Sequence, residues 1–126
     1  MYKKPILIAE VGCNHKGDFE IAKKFIEVAV DFCKLKYIKF QKRDNKSLFS
    51  TEEYNAPHPV YENSYGKTYG EHRDALEFDL NQHKELFKEC LKKKNHLFII
   101  CLGFRVSKKY YKFTTRIYKS WICNKS

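Results

Sequence analysis

The pattern of apolar and polar positions changes period several times along the chain, and each change predicts an element. Pro5-Ile-Leu-Ile-Ala9 is a continuous apolar run ending at Glu10, the pattern of a buried parallel strand. Gly12 to Gly17 reads as a loop, and Asp18 as the N-cap of a helix running to about Cys33. Ala22, Phe25, Ile26, Ala29 and Cys33 recur on one face of that helix. Tyr37-Ile-Lys-Phe-Gln41 reads as a second strand. Strand, helix and strand in this order form a βαβ unit, which implies a parallel sheet with a right-handed crossover. Residues 42–68 read as a long aromatic loop bearing Pro and Asn, and loops of that length in compact domains are usually functional. Tyr69 to Phe78 predicts a short helix. Asp79-Leu-Asn-Gln82 has capping-box form ahead of a longer helix to about Lys93, with Leu80, His83, Leu86, Phe87, Cys90 and Leu91 on its apolar face. Leu97 to Cys101 predicts a third strand, and after Gly103 the periodicity is lost. There is no internal repeat and no linker.

Composition narrows the class. A chain of 126 residues with 43% hydrophobic and 32% charged residues is one domain's worth, with enough apolar content for a core. No apolar run reaches the ~18 residues of a membrane span, and Ile6 to Ala9 is too short for a signal sequence. Five cysteines without a CxxC pair are expected to be reduced cytosolic thiols, not a disulfide frame or zinc site. The net charge of +10 suggests an anionic partner, but it is unevenly placed. From Leu102 onward there are seven basic residues, Arg105 to Lys125, and no acid. That stretch reads as a solvated tail or as an arm for nucleic acid or anionic lipid. A genuine arm would show steep salt dependence, lost on deleting 102–126.

Candidate chemistry lies at the strand ends. Glu10 closes the first strand, while Lys39 and Gln41 alternate along the second and so share a face. A carboxylate, an ammonium and an amide there could converge on a small anionic or hydroxylated ligand, although a Glu and a Lys at strand ends are more often a salt bridge. Asn14-His15 is equally readable as a ligand-contacting pair or a loop-stabilising one. His83, on an apolar helix face, is expected at the core edge. His58, His72, His83 and His96 do not repeat at metal spacing, and Glu71-His72 lacks a second His at i+4. There is no GxGxxG, P-loop or GxSxG.

Three stretches carry a resemblance. Ile8-Ala-Glu-Val-Gly-Cys-Asn-His-Lys-Gly17 is similar to the opening motif of the sialic acid synthases, the phosphoenolpyruvate-condensing N-acetylneuraminate synthase family. Ile38-Lys-Phe-Gln-Lys-Arg43 resembles that family's second-strand motif. Tyr54-Asn-Ala-Pro-His-Pro59, with Glu62 through Phe78, resembles the long loop and helix of its bacterial branch. The resemblance spans about residues 5–97. It implies an α/β fold, with residues 1–101 as part of a (β/α)8 TIM barrel, about three βα units; residues 102–126 fall outside it and read as an irregular basic tail. It also implies a domain-swapped homodimer and a divalent metal, Mn or Mg, that polarises an aldehyde. The reaction it implies joins phosphoenolpyruvate to an N-acylated mannosamine-type sugar, giving a nonulosonic acid and phosphate for surface carbohydrate. Carried over by position, Glu10 is expected beside the reacting carbons and water. Lys39 is expected on the phosphoenolpyruvate phosphate, and Gln41 and Asn63 on sugar hydroxyls. No metal ligand is expected in this chain. The expected partners are phosphoenolpyruvate and an N-acylated amino sugar, with neither nucleic acid nor membrane, in the cytoplasm.

The resemblance stops where the periodicity stops. The family continues past the third strand with a helix, a strand bearing a Lys-Val-Gly-Ser type motif, two metal-binding histidines and an antifreeze-like domain. Shifting the codons of Leu102–Ser126 by one nucleotide permits a helix followed by such a strand, and Trp121-Ile122 can then encode only Gly, where that motif has it. The tail is therefore expected to be an out-of-frame translation, and the chain an inactive fragment. The alternative is a small basic module that binds nucleic acid or anionic lipid.

Overall fold

The computed structural model describes residues 5–94, 96–102 and 110. The expected basic tail lies outside these residues except for Leu102 and Tyr110. Three strands, β1 (Ile8–Gly12), β2 (Tyr37–Arg43) and β3 (His96–Leu102), form one parallel sheet in the order β1-β2-β3. The registers pair Glu10 with Lys39, Lys39 with Phe98 and Gln41 with Ile100, and a bulge between Glu10 and Gly12 shifts β1 at its end.

Helix α1 (Phe19–Glu27) starts where its sequence dictates. The Asp18 carboxylate accepts hydrogen bonds from the backbone N–H groups of Glu20 and Ile21. It passes into a π-helical turn, Val28–Phe32, before Cys33. Helix α5 (Leu80–Lys92) opens on the expected capping box, with reciprocal bonds between Asp79 and Gln82. Alternation along β2 buries Ile38 and Phe40 on the helix side. They join Val11, Ala22, Ile26, Ala29, Phe78, Leu86 and Cys90 in one core between the sheet, α1 and α5. Each large side chain there contributes about 1.5–3 kcal/mol by leaving water. Burial also raises the Cys90 thiol pKa to about 12, so Cys90 is a core thiol and no nucleophile.

Four expectations need correction. The segment 42–68 is not one loop: it holds α2 (Asn45–Leu48), α3 (Thr51–Asn55) and a 3-10 turn, Tyr61–Asn63, ahead of α4 (Tyr69–Ala75). The reason is local. Ser50 and Glu53 form a second capping box, and the Tyr54 hydroxyl donates to Asp74 at 2.5 Å, tying α3 to α4. Gly70 admits this approach, since a Cβ there would lie 2.3 Å from the Tyr54 ring. The first strand begins at Ile8, and the apolar run before it is not buried. Ile6 and Leu7 precede the strand and are exposed, and Ile8 is exposed at its start. Phe25 and Cys33 of the expected α1 face, and Leu91 of α5, lie at the solvent edge.

Candidate functional site

The face of β2 opposite the core carries Lys39, Gln41 and Arg43 at every second position. Lys39 is directly in register with Glu10 of β1, and their side chains form an ion pair on this open face, with 28% and 43% of each side chain exposed. Gly12, just past Glu10, has φ +56°, a conformation that disfavours a side chain. A Cβ at Gly12 would sit 3.5 Å from Glu10 Oε1 and 4.0 Å from Gln41 Nε2. The carboxylate and the amide nitrogen therefore flank a single notch over the Gly12 backbone.

Arg43 closes the far side. Its guanidinium donates to Gln41 Oε1 and, at 3.0 Å, to Cys13 Sγ. Its backbone N–H donates to the Glu77 carboxylate at 2.9 Å. Glu77 also pairs with Lys42 at 3.3 Å, on well-buried atoms of both side chains, which pins the end of β2 to the turn between α4 and α5. Sequence reasoning named Glu10, Lys39 and Gln41 and missed Arg43 and Cys13. Period-two alternation extended one step past Gln41 would have found Arg43. Nothing local marks Cys13, which reaches the site through the turn after β1.

The structure brings Glu10, Lys39 and Gln41 together and leaves Asn63 apart. Asn63 is exposed at the end of the 3-10 turn, and no hydrogen bond joins it to the other three among the described residues. Asn14 and His15 resolve toward the turn itself. The Asn14 side chain donates to the Val11 carbonyl at 2.9 Å. His15 is buried, accepts from the Gly17 N–H on Nδ1 at 3.1 Å, and stacks on Phe78 with ring centroids 4.1 Å apart. Desolvation lowers its pKa against the opposing effect of a hydrogen bond to the Gly12 backbone, so it is a neutral packing residue under the site. His83 is fully buried, with Nδ1 3.0 Å from both the Asp79 carbonyl and the Tyr110 hydroxyl. Desolvation pushes its pKa down to about 4.

Among the described residues no group of three or more His, Cys, Asp or Glu side chains is placed to hold a metal ion. The donors among the described residues thus do not by themselves assemble a site for the divalent metal implied by the resemblance. What the arrangement can do is hold an anion against Lys39, beside a carboxylate and an amide. No helix in the described residues is long and apolar enough to cross a membrane.

Comparison with known proteins relates the chain, by sequence and by fold, to the following. Residues 25–119 match the NeuB family. N-acetylneuraminate-9-phosphate synthase of Mus musculus is 42% identical over 80 residues, covering 64% of this chain and 22% of that protein. N,N'-diacetyllegionaminic acid synthase of Campylobacter jejuni is 38% identical over 91 residues, covering 70% of this chain and 27% of that protein. A solved N-acetylneuraminic acid (sialic acid) synthetase from Leptospira borgpetersenii, in complex with citrate, superposes with a TM-score of 0.61 at 23% identity, over 83% of this chain and 32% of that one. The chain spans about a quarter of the length of the curated relatives it matches.

Proposed function

The chain belongs to the NeuB family, and from that premise we propose that it is the N-terminal part of a TIM-barrel synthase. That synthase condenses phosphoenolpyruvate with an N-acylmannosamine-type sugar and releases phosphate. The observation that carries this reading is the in-register Glu10–Lys39 pair on the open face of the sheet. Both residues lie within their strands rather than at the expected ends, and Gln41 and Arg43 continue the same face to the C-terminal end of β2, the end at which barrel enzymes build their sites.

Lys39 supplies a compact positive charge with three donors, suited to a phosphate as a point charge. An ion pair this exposed is worth about 0–1 kcal/mol. An incoming phosphate can therefore share or displace Glu10 on Lys39 at little cost. Once displaced, the Glu10 carboxylate stands beside the notch over Gly12, placed to orient water near the reacting carbons. In the balanced reaction, C3 of the enol forms a bond to the aldehyde carbon, water adds at C2, and the C–O bond to phosphate breaks. Gln41 holds a polar group of the sugar, and Asn63 is a second candidate for that role that would have to reach in from the 3-10 turn.

Turnover belongs, in this reading, to a longer chain that supplies further strands, the metal ligands and the dimer partner, acting in the cytoplasm. The 126-residue chain alone releases no phosphate. The reading of 102–126 as an out-of-frame continuation stands beside a family match that runs to residue 119. The nucleotide sequence across codon 100 decides between a divergent in-frame segment and a shifted one. The direct test of the site is a thermal shift of the purified chain with phosphoenolpyruvate. Stabilisation that Lys39→Met removes is the expected result. An equal shift in the variant overturns the assignment, and phosphate release from phosphoenolpyruvate and N-acetylmannosamine by the chain alone overturns the inactivity.

A further inference from the structure

We propose that Arg43 is a positioning residue for this site: it holds the Gln41 amide by its oxygen, so that Gln41 meets the ligand only as a hydrogen-bond donor. The inference rests on the reading that Gln41 contacts the ligand. A glutamine amide is nearly symmetric in outline and can present either its oxygen or its nitrogen. A guanidinium carries donors only, so it bonds the oxygen and leaves the nitrogen to point elsewhere. Here Arg43 donates to Gln41 Oε1, and Nε2 is the amide atom nearest the notch over Gly12, beside Glu10 Oε1.

Arg43 is itself held at three points. Cys13 Sγ accepts from Nη1, Gln41 accepts from Nη2, and the Glu77 carboxylate accepts from its backbone N–H. The fork is thus held from the turn after β1 by Cys13, while Glu77 anchors the Arg43 backbone from the turn before α5, and the amide cannot flip without giving up a charged donor. The chemical consequence is selectivity. Two N–H donors beside a carboxylate recognise an acceptor oxygen, such as the acyl carbonyl or a hydroxyl oxygen of an N-acylated sugar. Lys39 separately recognises the phosphate.

The experiment follows the Gln41 side-chain NH2 signals in the 15N-labelled 126-residue chain, identified by their loss in Gln41→Leu. Arg43→Met is expected to move these signals, and Arg43→Lys, which keeps a donor, to restore them at least in part. N-acetylmannosamine is expected to perturb the Gln41 signals in the wild-type chain and to bind about tenfold more weakly to Arg43→Met, the loss of one hydrogen bond. Phosphoenolpyruvate affinity is expected to stay within about twofold in that variant. Gln41 signals unmoved by Arg43→Met overturn the inference, as does an equal loss of both ligands. If neither ligand binds the wild-type chain while the Arg43-dependent shift is present, the proposed function falls and the amide orientation is supported.

Discussion

The two faces of β2 are one strand put to opposite uses. Ile38 and Phe40 point into the core and are fully buried, while Lys39, Gln41 and Arg43 face the open side and bond to one another or to β1 and its turn. Backbone alternation alone separates them. The helix face is held by area removed from water, which is non-directional and large. The open face is held by exposed polar contacts, each worth little in stability but specific in geometry. Substitutions should therefore divide cleanly, with stability lost on one face and ligand recognition on the other.

The largest expected effect is Phe40→Ala. It should lower unfolding stability by about 3–5 kcal/mol, read as a lower denaturant midpoint at unchanged slope. A loss under about 1 kcal/mol would mean that the helix face is not the core.

Next comes pH. His83 is held neutral by burial with its pKa lowered to about 4, against 6.5 when unfolded. Between those values the unfolded chain binds more protons, so stability is full above pH 6.5 and falls as the pH drops toward 4, by about 3 kcal/mol. His15, also depressed, acts in the same direction. Denaturant midpoints at pH 7.5 and 4.5 check this, and His83→Leu should flatten the difference in part.

Gly12→Ala probes the border between the faces. The positive φ makes it cost about 1–2 kcal/mol, and the new methyl enters the notch between Glu10 and Gln41. It should lose ligand-induced stabilisation as well as stability. The smallest expected effect is Lys39→Met, which should change stability by less than about 1 kcal/mol while removing the thermal shift with phosphoenolpyruvate. A large stability loss there would make Lys39 structural and erase the contrast between the faces.

Much of the fold was legible in advance because it is coded locally. Asp18 and the Asp79–Gln82 box announce helix starts through side chains that reach N–H groups two or three residues away. Period-two alternation put Lys39 and Gln41 on one side. The segment 42–68 reads as loop in the sequence because its helices are short. The Ser50–Glu53 box was visible in the residues, but four- and five-residue helices show no period. The Tyr54–Asp74 bond that steadies them joins residues twenty positions apart.

By itself the sequence determined the βαβ order, the helix caps at Asp18 and Asp79, the face shared by Lys39 and Gln41, and the family, since each is written in residue order or local spacing. Tertiary structure alone decided the rest. It stacked His15 on Phe78, set Glu10 opposite Lys39 in register, left Asn63 apart and brought Cys13 to Arg43 across thirty residues. Those contacts depend on how the chain returns on itself, and sheet register and loop path set that return.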